Sequence, residues 1–299
     1  MGLNIENGFL KGSIVALVTP MEENGAVDWK SLDALVDWHV EQGTHGIVPV
    51  GTTGESATLS ATEQAAVIAA VVNRVDGRIP VIAGTGANST QQTVALTHAG
   101  RNAGADACLV VTPYYNKPPQ EGLYRHYCTI ADEVDIPIVL YNVPSRTACD
   151  LQASTVGKIS QHERVIGIKE ACGNPERVVE IKELVDDDFV ILSGEDGQTL
   201  AMMQYGAVGT ISVTANVVPK LMSKFCGSFL SGDKDKASEL DGLLQPLHES
   251  LFLQTNPIPA KWALHLMKRI PSGLRLPLVA LAEEHHVSIR NQLIRVDAL

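Results

Sequence analysis

Gly46-Ile47-Val48-Pro49-Val50 is a short, continuous apolar run, and the stretch that it opens decides the reading of the whole chain. A run of this kind reads as a parallel strand buried on both faces. The loop Gly51-Thr52-Thr53-Gly54-Glu55-Ser56 follows it. Then come Thr62-Glu63-Gln64, Val67-Ile68 and Val71-Val72 at helical spacing, closed by Gly77 and Pro80. Val81-Ile82-Ala83-Gly84 is the next apolar run. The stretch is therefore one βαβ unit, the crossover that parallel strands require.

The unit recurs outward in both directions. Strands are predicted over 14–19, 46–50, 81–84, 107–112, 138–141, 165–169, 189–193 and 207–212. In the first interval Asp28 is a helix N-cap, ahead of Leu32, Leu35-Val36 and His39-Val40 at helical spacing. Eight βα units point to a (β/α)8 TIM barrel. A doubly wound sheet is the rival, because it also alternates strand and helix. The count favours the barrel, and so does Leu17-Val18-Thr19-Pro20, which is no phosphate-binding glycine loop. Gly84-Thr85-Gly86 opens a G-x-G-x-x-G pattern, but Ser89 stands at its last glycine. After Val217 the pattern is helical to the end, broken at Gly232, at Pro257-Ile258-Pro259 and over 271–273. The expected division is a catalytic barrel over 1–231 and a C-terminal helical appendage over 232–299 packed on it.

Composition excludes several classes of function. The 299 residues suffice for a large core. Lys and Arg number 23 against 34 Asp and Glu, a net charge of -11, which argues against a nucleic-acid partner. A small acidic substrate would need its own local cation. No apolar stretch reaches the length of a membrane helix. Residues 1–12 carry no basic segment followed by an apolar one, and Glu6 stands where a myristoylation signal has Ser or Thr. The expectation is a soluble, cytoplasmic protein without a membrane partner. The five cysteines, Cys108, Cys128, Cys149, Cys172 and Cys226, are odd in number and lack a C-x-x-C, so they read as reduced packing residues.

In a (β/α)8 barrel the chemistry sits at the C-terminal ends of the strands. Those ends carry no His and no carboxylate-imidazole group at metal-ligand spacing, which points away from metal-assisted aldol or hydrolytic chemistry. Glu283-Glu284-His285-His286 is the one dense cluster of that type, and in the tail it reads as an exposed helix face. Lys169 is the only lysine among the eight strand ends and directly follows Val165-Ile166-Gly167-Ile168. A lysine removed from water loses its proton more readily, and the neutral amine attacks carbonyls to form a Schiff base. The alternative is a rim lysine paired with Glu170. Tyr141 ends the neighbouring strand, where a phenol could exchange protons with such an intermediate; the alternative is a tyrosine packed on a helix with its hydroxyl capped. Arg146, past the Pro144 turn, is either the local cation for a carboxylate or a surface ion pair. Thr52-Thr53 offers hydroxyls and backbone N–H groups for a carboxylate or a proton relay, or else is an ordinary glycine-bracketed turn. Tyr114-Tyr115 reads as pocket lining or as a subunit contact.

Taken together these segments resemble one family. Gly51-Thr52-Thr53-Gly54-Glu55-Ser56, Val111-Thr112-Pro113-Tyr114-Tyr115-Asn116, Tyr141-Asn142-Val143-Pro144-Ser145-Arg146-Thr147 and Gly167-Ile168-Lys169-Glu170-Ala171 occur in this order. The set is similar to the dihydrodipicolinate synthase family of the pyruvate-dependent class I aldolase, or N-acetylneuraminate lyase, superfamily. The likeness runs from about Gly12 to Asn256-Pro257-Ile258-Pro259.

The resemblance implies that Lys169 forms a Schiff base with pyruvate and that Tyr141 donates and accepts the proton. It implies a relay from Tyr141 through Thr52 to Tyr115, the last reaching the neighbouring subunit's site. Thr53 would hold the pyruvate carboxylate, Arg146 the carboxylate of L-aspartate 4-semialdehyde, and Gly194 and Ile211 would make backbone contacts around pyruvate. It further implies a homotetramer built as a dimer of dimers, no metal and no cofactor, and a place in diaminopimelate and lysine biosynthesis. Ser56, Ala57, Asn88 and Tyr114 match the regulatory lysine site of feedback-inhibited relatives. Ala61, Gln64 and Gln92 replace that site's two histidines and its glutamate, so weak or absent lysine inhibition is expected. Two other readings remain: an aldolase using the same lysine and tyrosine on a sugar, as N-acetylneuraminate lyase or a keto-sugar-acid aldolase does, and a barrel that binds a metabolite without catalysis.

Overall fold

The computed structural model describes residues 10–299; the leader and myristoylation readings fall mainly on residues 1–9, outside the described residues. Eight strands form one sheet: β1 Gly12–Ala16, β2 Gly46–Val48, β3 Ile82–Gly84, β4 Ala107–Val111, β5 Ile138–Asn142, β6 Val165–Glu170, β7 Val190–Ser193 and β8 Gly209–Ser212. Every ladder is parallel, in the order β2-β1-β8-β7-β6-β5-β4-β3. The circle closes at β2 and β3 through the bridge between Ile47 and Val81. That seam is sparse because Pro49 and Pro80 have no N–H to give to it; their carbonyls still accept from Gly84 N and Ile47 N.

The helices are α1 Trp29–Glu41, α2 Ala61–Val75, α3 Thr90–Asn102, α4 Gln120–Glu133, α5 Pro144–Thr147, α6 Ala153–Ile159, α7 Arg177–Lys182, α8 Thr199–Gln204, α9 Pro219–Leu230, α10 Lys234–Ser250, α11 Ile258–Leu266 and α12 His286–Arg295. Asp28 caps α1 by accepting from Ser31 N at 3.1 Å. A capping box opens α2: Ser60 Oγ accepts from Glu63 N, and the Glu63 carboxylate accepts from Ser60 N at 2.8 Å. The chain after α11 is interrupted at the expected break over 271–273, and the interruption runs on to residue 282. Pro271, Gly273 and Pro277 deny this stretch a helix, and it runs as irregular chain before α12. Among the described residues no helix is long and apolar enough to cross a membrane.

Alternation along the strands splits the core in two. Ile14, Ala16, Val48, Ile82, Leu109, Val139, Tyr141, Leu192 and Ile211 pack together inside the barrel. Val15, Leu17, Ile47, Ala83, Val110, Leu140, Ile168 and Ile191 face the helices and join the larger cluster. This is the period-two geometry of a strand, and both faces are dry because helices cover the outside. The interior set includes Tyr141, and the register places Lys169 beside it on the next strand.

Candidate active site

Tyr141 on β5 and Lys169 on β6 are register partners near the ends of adjacent strands. Both are buried, 7% and 5% exposed, and Lys169 Nζ lies 4.4 Å from the centroid of the Tyr141 ring. A cationic or hydrogen-bonding amine beside a phenol is an arrangement in which a proton can pass to a group bound between them.

Glu170 is not the partner of Lys169. Successive strand residues point to opposite faces, and the Glu170 carboxylate accepts from Asn142 Nδ2 at 3.0 and 3.2 Å and from Cys172 N at 2.8 Å. Asn142 also donates to Asp150 at 2.8 Å, and Arg177 pairs with Asp150 at 3.1 Å. Burial pushes the Glu170 carboxyl up to about 7 against these favourable contacts. Nor is Tyr141 the helix-packed tyrosine of the alternative reading. The tyrosine with a capped hydroxyl is Tyr127 on α4, fully buried and donating to Val110 O of β4 at 3.1 Å.

Gly194 explains how Lys169 fits. A Cβ built on Gly194 would stand 2.7 Å from Ala171 Cβ and 3.0 Å from Lys169 Cε. Gly194 N donates to Glu170 O at 2.7 Å, so the backbone passes directly beside the lysine stem. Ile211 lies in the same interior cluster as Tyr141. Arg146 is exposed on α5. Glu195 reports the shared field of this end: burial and Asp196 push its carboxyl up, while Lys169 and Arg146 oppose the rise.

The Thr52-Thr53 loop is tight, with Gly54 N donating to Gly51 O at 3.1 Å and Glu55 N to Thr52 O at 3.1 Å. Thr52 is half-buried and Thr53 is 2% exposed. Two residues that the sequence reading did not place in the site hold this loop. Asn256 Nδ2 donates to Thr53 Oγ1 at 2.8 Å, and Lys261 Nζ pairs with Glu55 at 2.5 Å. The signal for Lys261 was present, a lone charge in the apolar stretch Ile258-Pro259-Ala260-Lys261-Trp262, but its partner lies about 200 residues away in the chain and no local pattern names it.

Tyr115 does not join the Lys169–Tyr141 pair in the single chain. It is 89% exposed, at φ 76°, a left-handed conformation uncommon for a large side chain. Tyr114 is 40% exposed. Asn116 Nδ2 donates to Asn88 O at 2.8 Å, tying this loop to the one before α3. Ser56 and Ala57 form a short turn, and Gln64 Nε2 donates to Ser56 O at 3.0 Å and Leu59 O at 3.2 Å. Glu283-Glu284-His285-His286 makes a weak contact between His285 and Glu284 at 3.5 Å, and His286 stacks on Trp262. Among the described residues no group of three or more His, Cys, Asp or Glu is arranged to hold a metal.

Residues 9–295 match the profile of the dihydrodipicolinate synthetase family. The chain belongs to that family. It is 55% identical to the 4-hydroxy-tetrahydrodipicolinate synthase of Alcanivorax borkumensis over 284 residues, 95% of this chain and 97% of the relative. With the synthase of Pseudomonas aeruginosa it shares 52% over 290 residues, 97% of this chain and 99% of the relative. Among solved structures it superposes on the chloride-inhibited dihydrodipicolinate synthase of Acinetobacter baumannii, complexed with pyruvate. The TM-score there is 0.95 at 48% identity, covering 97% of this chain and all of the other. Family membership and near-full-length identity make the chain a lyase with 4-hydroxy-tetrahydrodipicolinate synthase activity, on the TIM barrel of that family.

Proposed function

We propose that Lys169 is the nucleophile of this synthase reaction, joining pyruvate to L-aspartate 4-semialdehyde in lysine and diaminopimelate biosynthesis. The observation that carries the reading is the register pair: a buried lysine amine beside a buried phenol, inside the barrel at the active end, with the neighbouring carboxylate engaged elsewhere.

The neutral Lys169 amine attacks the keto carbon of pyruvate, and loss of water leaves a protonated imine. The imine draws a proton off the methyl group and gives an enamine, with Tyr141 carrying protons in and out. The enamine carbon attacks the aldehyde, whose oxygen becomes a hydroxyl. The amino group of the former semialdehyde then adds to the imine carbon and releases the Lys169 amine, closing the ring. One water leaves per turnover and nothing is oxidised or reduced. The protonated imine is itself the electron sink, so the scheme calls for no metal and no organic cofactor.

Thr53 holds the pyruvate carboxylate, with Gly194 and Ile211 around it, and Arg146 binds the semialdehyde carboxylate bidentately. Thr52 connects Tyr141 to Tyr115 of a second copy, which is supported by the exposed position and unusual backbone of that tyrosine. The working unit in this reading is a dimer, assembled as a dimer of dimers in the cytoplasm.

Ser56, Ala57, Asn88 and Tyr114 form the remnant of a regulatory lysine site. With Ala61, Gln64 and Gln92 in place of charged or titratable groups, bound lysine lacks a carboxylate partner, a loss of on the order of 1–3 kcal/mol. Inhibition by low micromolar lysine at pH 8 would contradict this.

Borohydride reduction with pyruvate should trap one covalent adduct on Lys169, and Lys169→Ala should show none by intact mass. Product should form from pyruvate and aspartate semialdehyde and not from pyruvate and N-acetylmannosamine. Failure to trap sinks the Lys169 assignment, and turnover of the sugar alone would return the sugar aldolase reading.

A further inference from the structure

Thr53 is fixed from the other end of the chain. Its hydroxyl accepts from Asn256 Nδ2 at 2.8 Å, and both residues are buried, 2% and 5% exposed. A threonine hydroxyl has one proton and two lone pairs. With the Asn256 N–H on the oxygen, the Thr53 proton is left for an acceptor other than Asn256. The opposite amide atom, Asn256 Oδ1, is buried and has no hydrogen-bond partner among the described residues. An orphaned buried acceptor is costly, and it marks this asparagine as placed for something other than stability.

The loop itself is clamped two residues later. Glu55 sits at φ 57°, a left-handed backbone that costs a non-glycine residue about 1 kcal/mol or more. Its carboxylate accepts from Lys261 Nζ at 2.5 Å and from Arg275 N at 3.4 Å. The Lys261 and Glu55 side chains are 2% and 0% exposed. Arg275 continues the clamp, donating to Thr58 O at 2.7 Å and pairing with Glu63 at 2.5 Å. A buried ion pair is no more stabilising than well-packed apolar residues of the same volume. Its use at a left-handed residue beside the threonine loop therefore points to geometry.

We propose that Asn256 is a positioning residue: backed by the Lys261–Glu55 pair, it orients the Thr53 hydroxyl so that its proton faces the carboxylate of bound pyruvate. The inference rests on the reading of Thr53 given above. Binding of the 2-oxo acid then depends on the chain beyond the barrel strands, which delivers the orienting N–H across the mouth of β2.

A double-mutant cycle between Asn256 and Thr53 tests this on the full-length enzyme. Asn256→Leu should raise the KM for pyruvate about tenfold, the equivalent of one oriented hydrogen bond to a charged group, with kcat within about twofold. Thr53→Val should raise it similarly, and in that background Asn256→Leu should add nothing. Asn256→Ala, which introduces no bulk, runs beside the leucine variant, and the Tm of each reports folding. An Asn256 variant that leaves the pyruvate KM unchanged overturns the proposal. So does one that raises it equally with and without the Thr53 hydroxyl, because Asn256 would then act independently of Thr53. If Thr53→Val alone leaves the pyruvate KM unchanged, the reading of Thr53 fails and takes the inference with it.

Discussion

Gly194 and Glu170 show how single residues set the conditions for Lys169. A methyl group on Gly194 would stand 2.7 Å from Ala171 Cβ and 3.0 Å from Lys169 Cε, so Ala171 must move and the lysine stem must give by a few tenths of an ångström. Gly194→Ala should therefore lower kcat/KM for pyruvate about a hundredfold by displacing the amine from its near-attack position. Borohydride trapping should slow in parallel, and unchanged trapping would mean that the stem has room to spare. Glu170 contributes a pH dependence to stability. Its carboxyl is raised by burial from 4.5 to about 7, so between these values the folded chain binds more protons than the unfolded one. The stability it contributes is full below pH 4.5 and is lost as pH rises through about 7, a change on the order of 3 kcal/mol. Denaturation of wild type and Glu170→Gln from pH 5 to 8 should show the two diverging, with the wild type losing ground as pH rises. A constant difference would mean that Glu170 is ionised throughout. Lys169 was legible as a residue because one lysine ended an apolar strand. Its separation from Glu170 follows from strand alternation, but the role of Asn142 as the carboxylate's partner came only from the packing.

At the scale of elements, the loop after β2 and helix α11 behave as one unit through Glu55 and Lys261. Lys261→Met leaves a buried carboxylate unpaired and should cost about 3–5 kcal/mol in urea denaturation. Glu55→Gln with Lys261→Met removes both charges and should recover most of that loss. A double variant no more stable than the single one would show that the pair is net stabilising. The elements themselves were largely readable. Asp28 does cap α1, and the eight apolar runs are the eight strands. The break over 271–273 was readable too, but not its length, since irregular chain runs on past Pro277. That irregular chain also bears Arg275, which reaches Glu63, Thr58 O and Gly25 O, contacts that no periodicity encodes.

For the molecule as a whole, the exposed Tyr115 bears on assembly. A left-handed backbone and 89% exposure are costly for a tyrosine that does nothing. Inactive Lys169→Ala and impaired Tyr115→Phe chains, co-expressed, should regain about a quarter of wild-type activity if Tyr115 serves the partner's site, because a mixed dimer contains one intact site. A mixture that performs as the average of its parents would place Tyr115 outside the partner's chemistry. With a net charge of -11, an anionic substrate has to be held by local groups and not by a global field.

The sequence alone determined the barrel, because eight short apolar runs separated by helical periods leave few other ways to bury both faces of parallel strands. It also singled out Lys169, Tyr141, Arg146 and the Thr52-Thr53 loop, since chemistry on this fold gathers at strand ends that can be counted along the chain. Only the tertiary structure decided the partners: Tyr141 against Lys169, Glu170 on Asn142, Asn256 on Thr53 and Lys261 on Glu55. Periodicity reports which face of an element is buried. It does not report which distant element covers that face, and the hydrogen bonds that orient these side chains depend on that choice.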